Sequence, residues 1–265
     1  MNFSQLIAQA EQSPEHILVP QNWGQGRAAF GGLVAALVFA AMRGKVPAGR
    51  PVRSLAVTFV GPLQPGVPAQ VEAEVLREGK AVSQMLGRAT QDGQVVALVQ
   101  GSFGAPRESV LAVDALPAPV MSPPEHSQEM PYIKGVTPEF TQHLALRWAE
   151  GGMPFSNNPS RTMGGWVRLR EELPQEHLDE AHLLGLVDAW PPALLPHLRQ
   201  PAPGSSLTWT IEFMQPLVPL SGEDWCQYRA EIEHARDGYG HIAAGFWSPQ
   251  GELLAISRQT VTVFA

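Results

Sequence analysis

The sequence predicts an α+β fold made twice in tandem, each copy wrapping an antiparallel sheet around a long central helix. Three observations predict it: an apolar helical stretch in each half, four strand-like segments after each stretch, and turn residues that recur at a nearly constant offset. At 265 residues the chain is long enough for two domains of ordinary size.

In the first half a Gly-rich loop, NWGQGRAAFGG, leads into 33–42, which is apolar on nearly every face and must be buried all round. Segments 53–59, 69–76, 83–90 and 95–103 follow, rich in alternating or β-branched residues and separated by Gly, Pro and Asp-Gly turns. The second half opens with strand-like segments at 140–148 and 166–170. A helical stretch over 178–190 is then stopped by Pro191 and Pro192. Four more strands are expected at 207–213, 225–233, 240–247 and 253–264.

LAVTFVGPL, starting at Leu55, aligns with WTIEFMQPL, starting at Trp209, so that Phe59 faces Phe213 and Pro62 faces Pro216. Arg77-Glu78-Gly79 matches Arg236-Asp237-Gly238, and the Asp92-Gly93 turn matches Gln250-Gly251. An offset held across the whole half, with Phe and Pro matched inside strand ends, indicates duplication rather than two meanders that happen to share turn residues. The segment between the halves is rich in Pro and lacks periodicity, which predicts a surface linker. The expected organisation is therefore repeat 1–105, linker 106–136 and repeat 137–265.

Composition narrows the function. The chain is 44% hydrophobic and 16% charged with a formal net charge of −7, a globular balance without the basic excess that nucleic acid attracts. Cys226 is the only cysteine, which excludes an intrachain disulfide and a multi-cysteine metal site. The N-terminus lacks the basic start and apolar run of a signal peptide, and no stretch has the length of a membrane span. A cytoplasmic protein is expected.

Several sharper motifs fail. Gly24-Gln25-Gly26-Arg27-Ala28-Ala29 imitates a dinucleotide loop, yet Pro20 interrupts the preceding strand and no acid follows at the required distance. His177 and His182 stand roughly 140° apart on a helix, so they cannot share a metal and are expected at the surface. No G-x-S-x-G elbow occurs, and Cys226 has no basic neighbour in sequence, so a covalent acyl-enzyme lacks a nucleophile. Neither a metal nor a cofactor is expected.

Asp188 is the polar residue that stands out, in LLGLVDAWPP. Burial among apolar neighbours and the negative end of a helix dipole both raise a carboxylate pKa, which suits a general base near neutrality. The residues alone leave this reading level with an Asp that merely satisfies backbone donors. Gln259 lies in a mostly apolar strand and offers both a donor and an acceptor; on its own it reads equally as a solvent-facing strand residue. Gly31 and Gly32 open the first helix, where missing side chains admit either a ligand to the backbone amides or close packing of helix on sheet.

A long apolar helix followed by four antiparallel strands is the hot-dog arrangement, and two copies make a double hot-dog. Phe30-Gly31-Gly32, LREGKAVSQMLGRATQDGQVVALVQGSF from Leu76, Leu186-Val187-Asp188-Ala189-Trp190, SLTWTIEFMQP from Ser206, and LAISRQTVTV from Leu254 together resemble the acyl-CoA thioesterase II family. The resemblance implies hydrolysis of acyl-CoA by water held between an Asp, a Thr and a Gln. Asp188 and Gln259 match the first and third. The Thr position falls on Ser206, or on Thr208 if the register shifts, because Thr208 and Thr210 are expected on the same strand face. Arg77 and Lys80, with Arg88 and Arg107, are the candidates for the CoA phosphates, against the plainer reading of a solvated face.

The resemblance also implies association of copies through their sheets. Two alternatives remain: a double hot-dog that binds acyl-CoA or a fatty acid without turnover, and a hydratase. The second needs a His working with a carboxylate, and Asp188 with His197 does not have the hydratase spacing. Leu37-Val38-Phe39 stands where the second half has Asp188, and Gln259 falls opposite about Gly101, so one composite site is expected rather than two.

Overall fold

The computed structural model describes residues 1–170 and 177–265. The chain opens with helix α1 (Phe3–Gln12), capped by Asn2. A small ribbon of β1 (Gly24–Gln25) and β2 (Ala28–Ala29) turns at Gly26, whose φ of 65° is left-handed. The loop that imitates a dinucleotide site is thus a hairpin ahead of a helix. Helix α2 (Gly31–Arg43) follows, buried along nearly its whole length as its composition requires. Next come β3 (Val52–Phe59), β4 (Gln70–Glu78), β5 (Val82–Gln91) and β6 (Gln94–Gly104).

The second half supplies β7 (Gln128–Glu129), β8 (Leu144–Glu150), β9 (Thr162–Leu169), helix α3 (Glu180–Asp188), β10 (Gly204–Phe213), β11 (Cys226–Arg236), β12 (Tyr239–Trp247) and β13 (Leu253–Val263). All of these except β1 and β2 join one sheet in the order β4-β5-β6-β3-β10-β13-β12-β11-β9-β8-β7. Every pairing in it is antiparallel. The halves meet where β3 pairs with β10, Val57 opposite Trp209.

One face of this sheet is apolar and holds the helices. Helix α2 lies on β4, β5 and β6, α3 lies on β9, and α2 and α3 pack on each other. Their cores are one continuous cluster. The second helix is shorter than the stretch 178–190 predicted it to be. Asp179 turns its carboxylate back to the amides of Ala181 and His182 and starts the helix there, while Ala189 caps it ahead of the two prolines.

Two further elements differ from expectation. Within 106–136, Gln128 and Glu129 pair with Trp148 and Arg147 and extend the sheet edge. The same segment is tied across the sheet's other face, where Gln227 Nε2 donates to the Pro119 carbonyl and Trp166 Nε1 to that of Ser122. His182, expected at the surface, is buried: Ser4 and Asp179 bond its two ring nitrogens, and its ring lies against Phe3. His177 is exposed, as expected.

Helix α1 is held by a glycine. A Cβ on Gly185 would stand 2.7 Å from the Phe3 ring, so the bare backbone of α3 is what lets Phe3 seat. Gly185→Val is expected to cost about 1–3 kcal/mol by overpacking. It should lower the urea midpoint and expose the N-terminal segment to earlier proteolytic clipping.

Candidate active site

Asp188 ends α3 where that helix meets the first turn of α2. The approach is very close: a Cβ on Gly32 would stand 2.7 Å from the Leu184 carbonyl and 2.9 Å from Asp188 Cβ, and one on Gly31 would stand 2.9 Å from Asp188 Oδ2. Gly32 is therefore required by helix-on-helix packing, while Gly31 is pressed both by Asp188 and by the Phe59 ring of β3 at 3.1 Å, so the expected packing of helix on sheet holds for Gly31 in part and is corrected for Gly32. The Gly32 amide donates to the Asp188 carboxylate. The positive end of α2 thus faces the charge at the negative end of α3.

From the sheet, Gln259 Nε2 donates to Asp188 Oδ1 at 2.7 Å. Gln259 reaches inward because it pairs with the fully buried Trp209, and opposed residues on neighbouring strands point to the same face. Burial pushes the Asp188 carboxyl up to about 7, against the downward pull of the Gln259 and Gly32 hydrogen bonds. The residue as a whole is half-buried.

Ser206 pairs with Val261, two residues along β13 from Gln259, and so shares its inward face. The strand then bulges between Ser206 and Thr208. Thr208 consequently pairs with Thr260 and Thr58 on the outward face, and Thr210 follows it. The expectation that Ser206, Thr208 and Thr210 share a face is overturned by that one extra residue, and Ser206 alone of the three faces the Asp188 side. Its hydroxyl makes no hydrogen bond to Asp188 or Gln259 among the described residues.

Arg77 and Lys80 lie at the β4–β5 hairpin, exposed on the far edge, with β5, β6 and β3 standing between β4 and β10. Arg88 is engaged by Glu72 at 2.8 Å, and Arg107 is exposed. The structure does not bring these four to Asp188. Cys226 is buried, and burial pushes its thiol up to about 12, which leaves no thiolate near neutrality.

A cavity of about 910 Å³ opens at the other end of α2, between α1 and β4. Its cations are all committed: Arg43 to Glu11 and Asp179, Arg88 to Glu72, and Lys45 to the Ala73 carbonyl. Around Asp188 the sequence reading missed an aromatic group. The Trp190 ring stacks on Tyr228 at 5.2 Å and meets Trp148 at 4.6 Å. Its signal was the Trp two residues beyond Asp188, but the partners come from distant strands.

A sheet of antiparallel strands closing on buried helices defines the class. The chain resembles a hot-dog-fold protein of unknown function from Alicyclobacillus acidocaldarius, with TM-score 0.79 and 25% identity over 94% of this chain and 92% of that one. The tesB protein of Mycobacterium avium subs. paratuberculosis has the same fold, with TM-score 0.78 and 18% identity over 100% of both chains. So does acyl-CoA thioesterase II TesB2 of Mycobacterium marinum, with TM-score 0.68 and 20% identity over 94% and 92%. No curated protein matches the chain. Residues 19–104 match the acyl-CoA thioesterase N-terminal domain and residues 124–263 the acyl-CoA thioesterase C-terminal domain. The chain belongs to the acyl-CoA thioesterase family.

The raised carboxyl makes a prediction about stability. A folded pKa of about 7, above the ordinary 3.8, gives stability that is fully present below 3.8 and is lost as pH rises through about 7. Asp188→Asn keeps the shape and removes the charge. It is expected to melt several degrees above the native protein at about pH 8, with the gap narrowing toward about pH 5. A gap that does not change with pH would assign the difference to packing.

Proposed function

We propose that the protein is a double hot-dog acyl-CoA thioesterase, with repeats 1–105 and 137–265 joined by 106–136, in which Asp188 activates a water held with Gln259 and Ser206. The observation that carries this reading is a buried carboxylate with pKa about 7, bonded by Gln259 at 2.7 Å, at the meeting of two helices. Near neutral pH about half of such groups are ionised, the condition under which a carboxylate takes a proton from water most usefully.

Asp188 accepts one proton of the water as its oxygen attacks the thioester carbonyl carbon. Gln259 spends one amide hydrogen on Asp188 and keeps its carbonyl oxygen to accept the second water hydrogen. The Ser206 hydroxyl, on the same inward face, donates to the water oxygen. The Gly32 amide is already committed to Asp188, so at the α2 N-terminus the developing oxyanion is left with Gly31 N–H. Collapse of the tetrahedral intermediate breaks the C–S bond, and the proton held by Asp188 passes to the departing sulfur. The sum is R-CO-S-CoA plus water giving R-COOH and HS-CoA.

Thiol release from a panel of acyl-CoAs tests the proposal. Asp188→Asn is expected to lower kcat by about 10²-fold or more, and Gln259→Ala by about tenfold or more. In the native protein kcat/KM should fall as pH drops below about 7, the limb expected of a base that must be ionised. Undiminished turnover in Asp188→Asn would remove the assignment. Tight acyl-CoA binding with no thiol release at any chain length would make the protein a binder instead.

A further inference from the structure

Helices α2 and α3 pack against each other in opposite directions and are fastened at both ends. At one end the Gly32 amide, in the first turn of α2, donates to Asp188, the last residue of α3. At the other, Arg43, the last residue of α2, donates through Nη1 to Oδ2 of Asp179, the N-cap of α3, at 2.6 Å. The same guanidinium reaches α1 through Glu11 Oε1 at 2.8 Å and lies 5.5 Å from the centre of the Phe39 ring. Arg43 is thereby held against all three helices.

The two carboxylate oxygens of Asp179 divide the work. Oδ1 accepts from the Ala181 and His182 amides and meets His182 Nδ1, which starts the helix, while Oδ2 takes Arg43. The middle of the helix pair has no such fastening. There the Leu184 carbonyl lies over Gly32, which has no side chain to interlock with α3, so this contact sets how closely the helices approach and not how far one slides along the other. Glu180 is tied to Gln215 Nε2 at 2.6 Å, but Gln215 follows β10 and does not belong to α2. Among the described residues, the polar bonds that join α2 to α3 are the one at Asp179 and the one at Asp188.

Resting on the thioesterase reading, we propose that Arg43 and Asp179 are positioning residues of the active site: their ion pair fixes where α3 sits along α2, and so places Asp188 against the Gly32 amide and Gln259. At about 1.5 Å of rise per residue the pair acts about 13 Å from Asp188, through a single hydrogen-bonded helix that carries a displacement from one end to the other. A misplacement of about 1 Å at a reacting group can cost about 10²-fold in rate. Without the ion pair α3 is free to slide, and the Gly32 bond lengthens. That bond holds the Asp188 carboxyl down against its burial, so weakening it lets the carboxyl rise and leaves fewer molecules with an ionised base at neutral pH.

The test pairs two substitutions at one guanidinium. Asp179→Asn keeps Oδ1, and with it the helix cap, but turns a donor toward Arg43. Glu11→Gln removes an equal charge from beside Arg43 without touching α3. Asp179→Asn is expected to lower kcat by about tenfold or more and to move the acid limb of kcat/KM up by about half a pH unit or more. Glu11→Gln should leave both at their native values. Arg43→Met breaks the pair from the other side and should reproduce the Asp179→Asn result. An NMR titration of the Asp188 carboxyl carbon reads the same shift without turnover, and circular dichroism melts establish that each variant folds. The proposal is overturned if Asp179→Asn leaves the limb and the titration in place or moves them down, or if Glu11→Gln moves them equally. Failure of the thioesterase reading looks different: the native protein releases no thiol, while the Asp188 titration still moves in Asp179→Asn.

Discussion

Everything at the centre of this protein is arranged around the contact between the end of one helix and the start of another, with the Asp188 carboxylate between them. A charge at the C-terminal end of a helix is opposed by that helix's own dipole, and burial opposes it again. The structure offsets both by pointing the amide end of α2 at the same carboxylate and adding a donor from Gln259. That solution dictates sequence. The first turn of α2 has to be Gly31-Gly32, since any side chain would meet α3 or Asp188 itself. The compensation is also incomplete, which leaves the carboxyl near 7 rather than fully ionised.

The two halves of the chain accommodate this differently. Where the second half has Asp188, the first has Leu37, Val38 and Phe39, all buried and part of the continuous core. Where the second has Gln259, the first has about Gly101. A Cβ there would stand 2.6 Å from Met42, whose side chain occupies the space. The same Met42, with Val38, lies over Gly87 in β5. In the first half, side chains of α2 fill the space over Gly87 and Gly101. A repeat that gives up packing for a polar group needs a neighbour that does not, because the two share one sheet and one core.

Features set by local pattern were legible in the sequence. Alternation and turn residues located the eight strands that follow the two helices, and uniform apolarity located α2. Asp188 and Gln259 stood out as polar residues in apolar runs, and the structure brings them within hydrogen-bonding distance. What escaped depends on partners far away in the chain. Helix α1 becomes legible only once Phe3 has Gly185 to pack on, and the burial of His182 only once Ser4 is beside it. The bulge after Ser206 has no residue signal such as glycine, yet it reverses the facing of Thr208 and Thr210. Alternation is a rule with period two, and a single inserted residue is invisible to it until the pairing is seen.

The two aspartates of α3 show how far one helix can separate identical groups. Asp179 stands at its N-terminus. Burial alone would raise its carboxyl, but the hydrogen bond and charge of His182 and the Arg43 guanidinium hold it well below the usual carboxylate range. It also caps the helix amides and accepts from Arg43 at 2.6 Å, joining α3 to α2. Among the described residues, Asp188, nine residues on, is bonded by two neutral donors and no cation. A carboxylate that must stay ionised to hold helices together is given charges. One whose ionisation has to remain in balance near neutrality is given amides, because a neutral donor stabilises the anion without fixing it. A cation in contact with Asp188, such as Arg77, Lys80, Arg88 or Arg107 would supply, would pull its carboxyl down toward the state of Asp179 and, on the proposed mechanism, weaken it as a base.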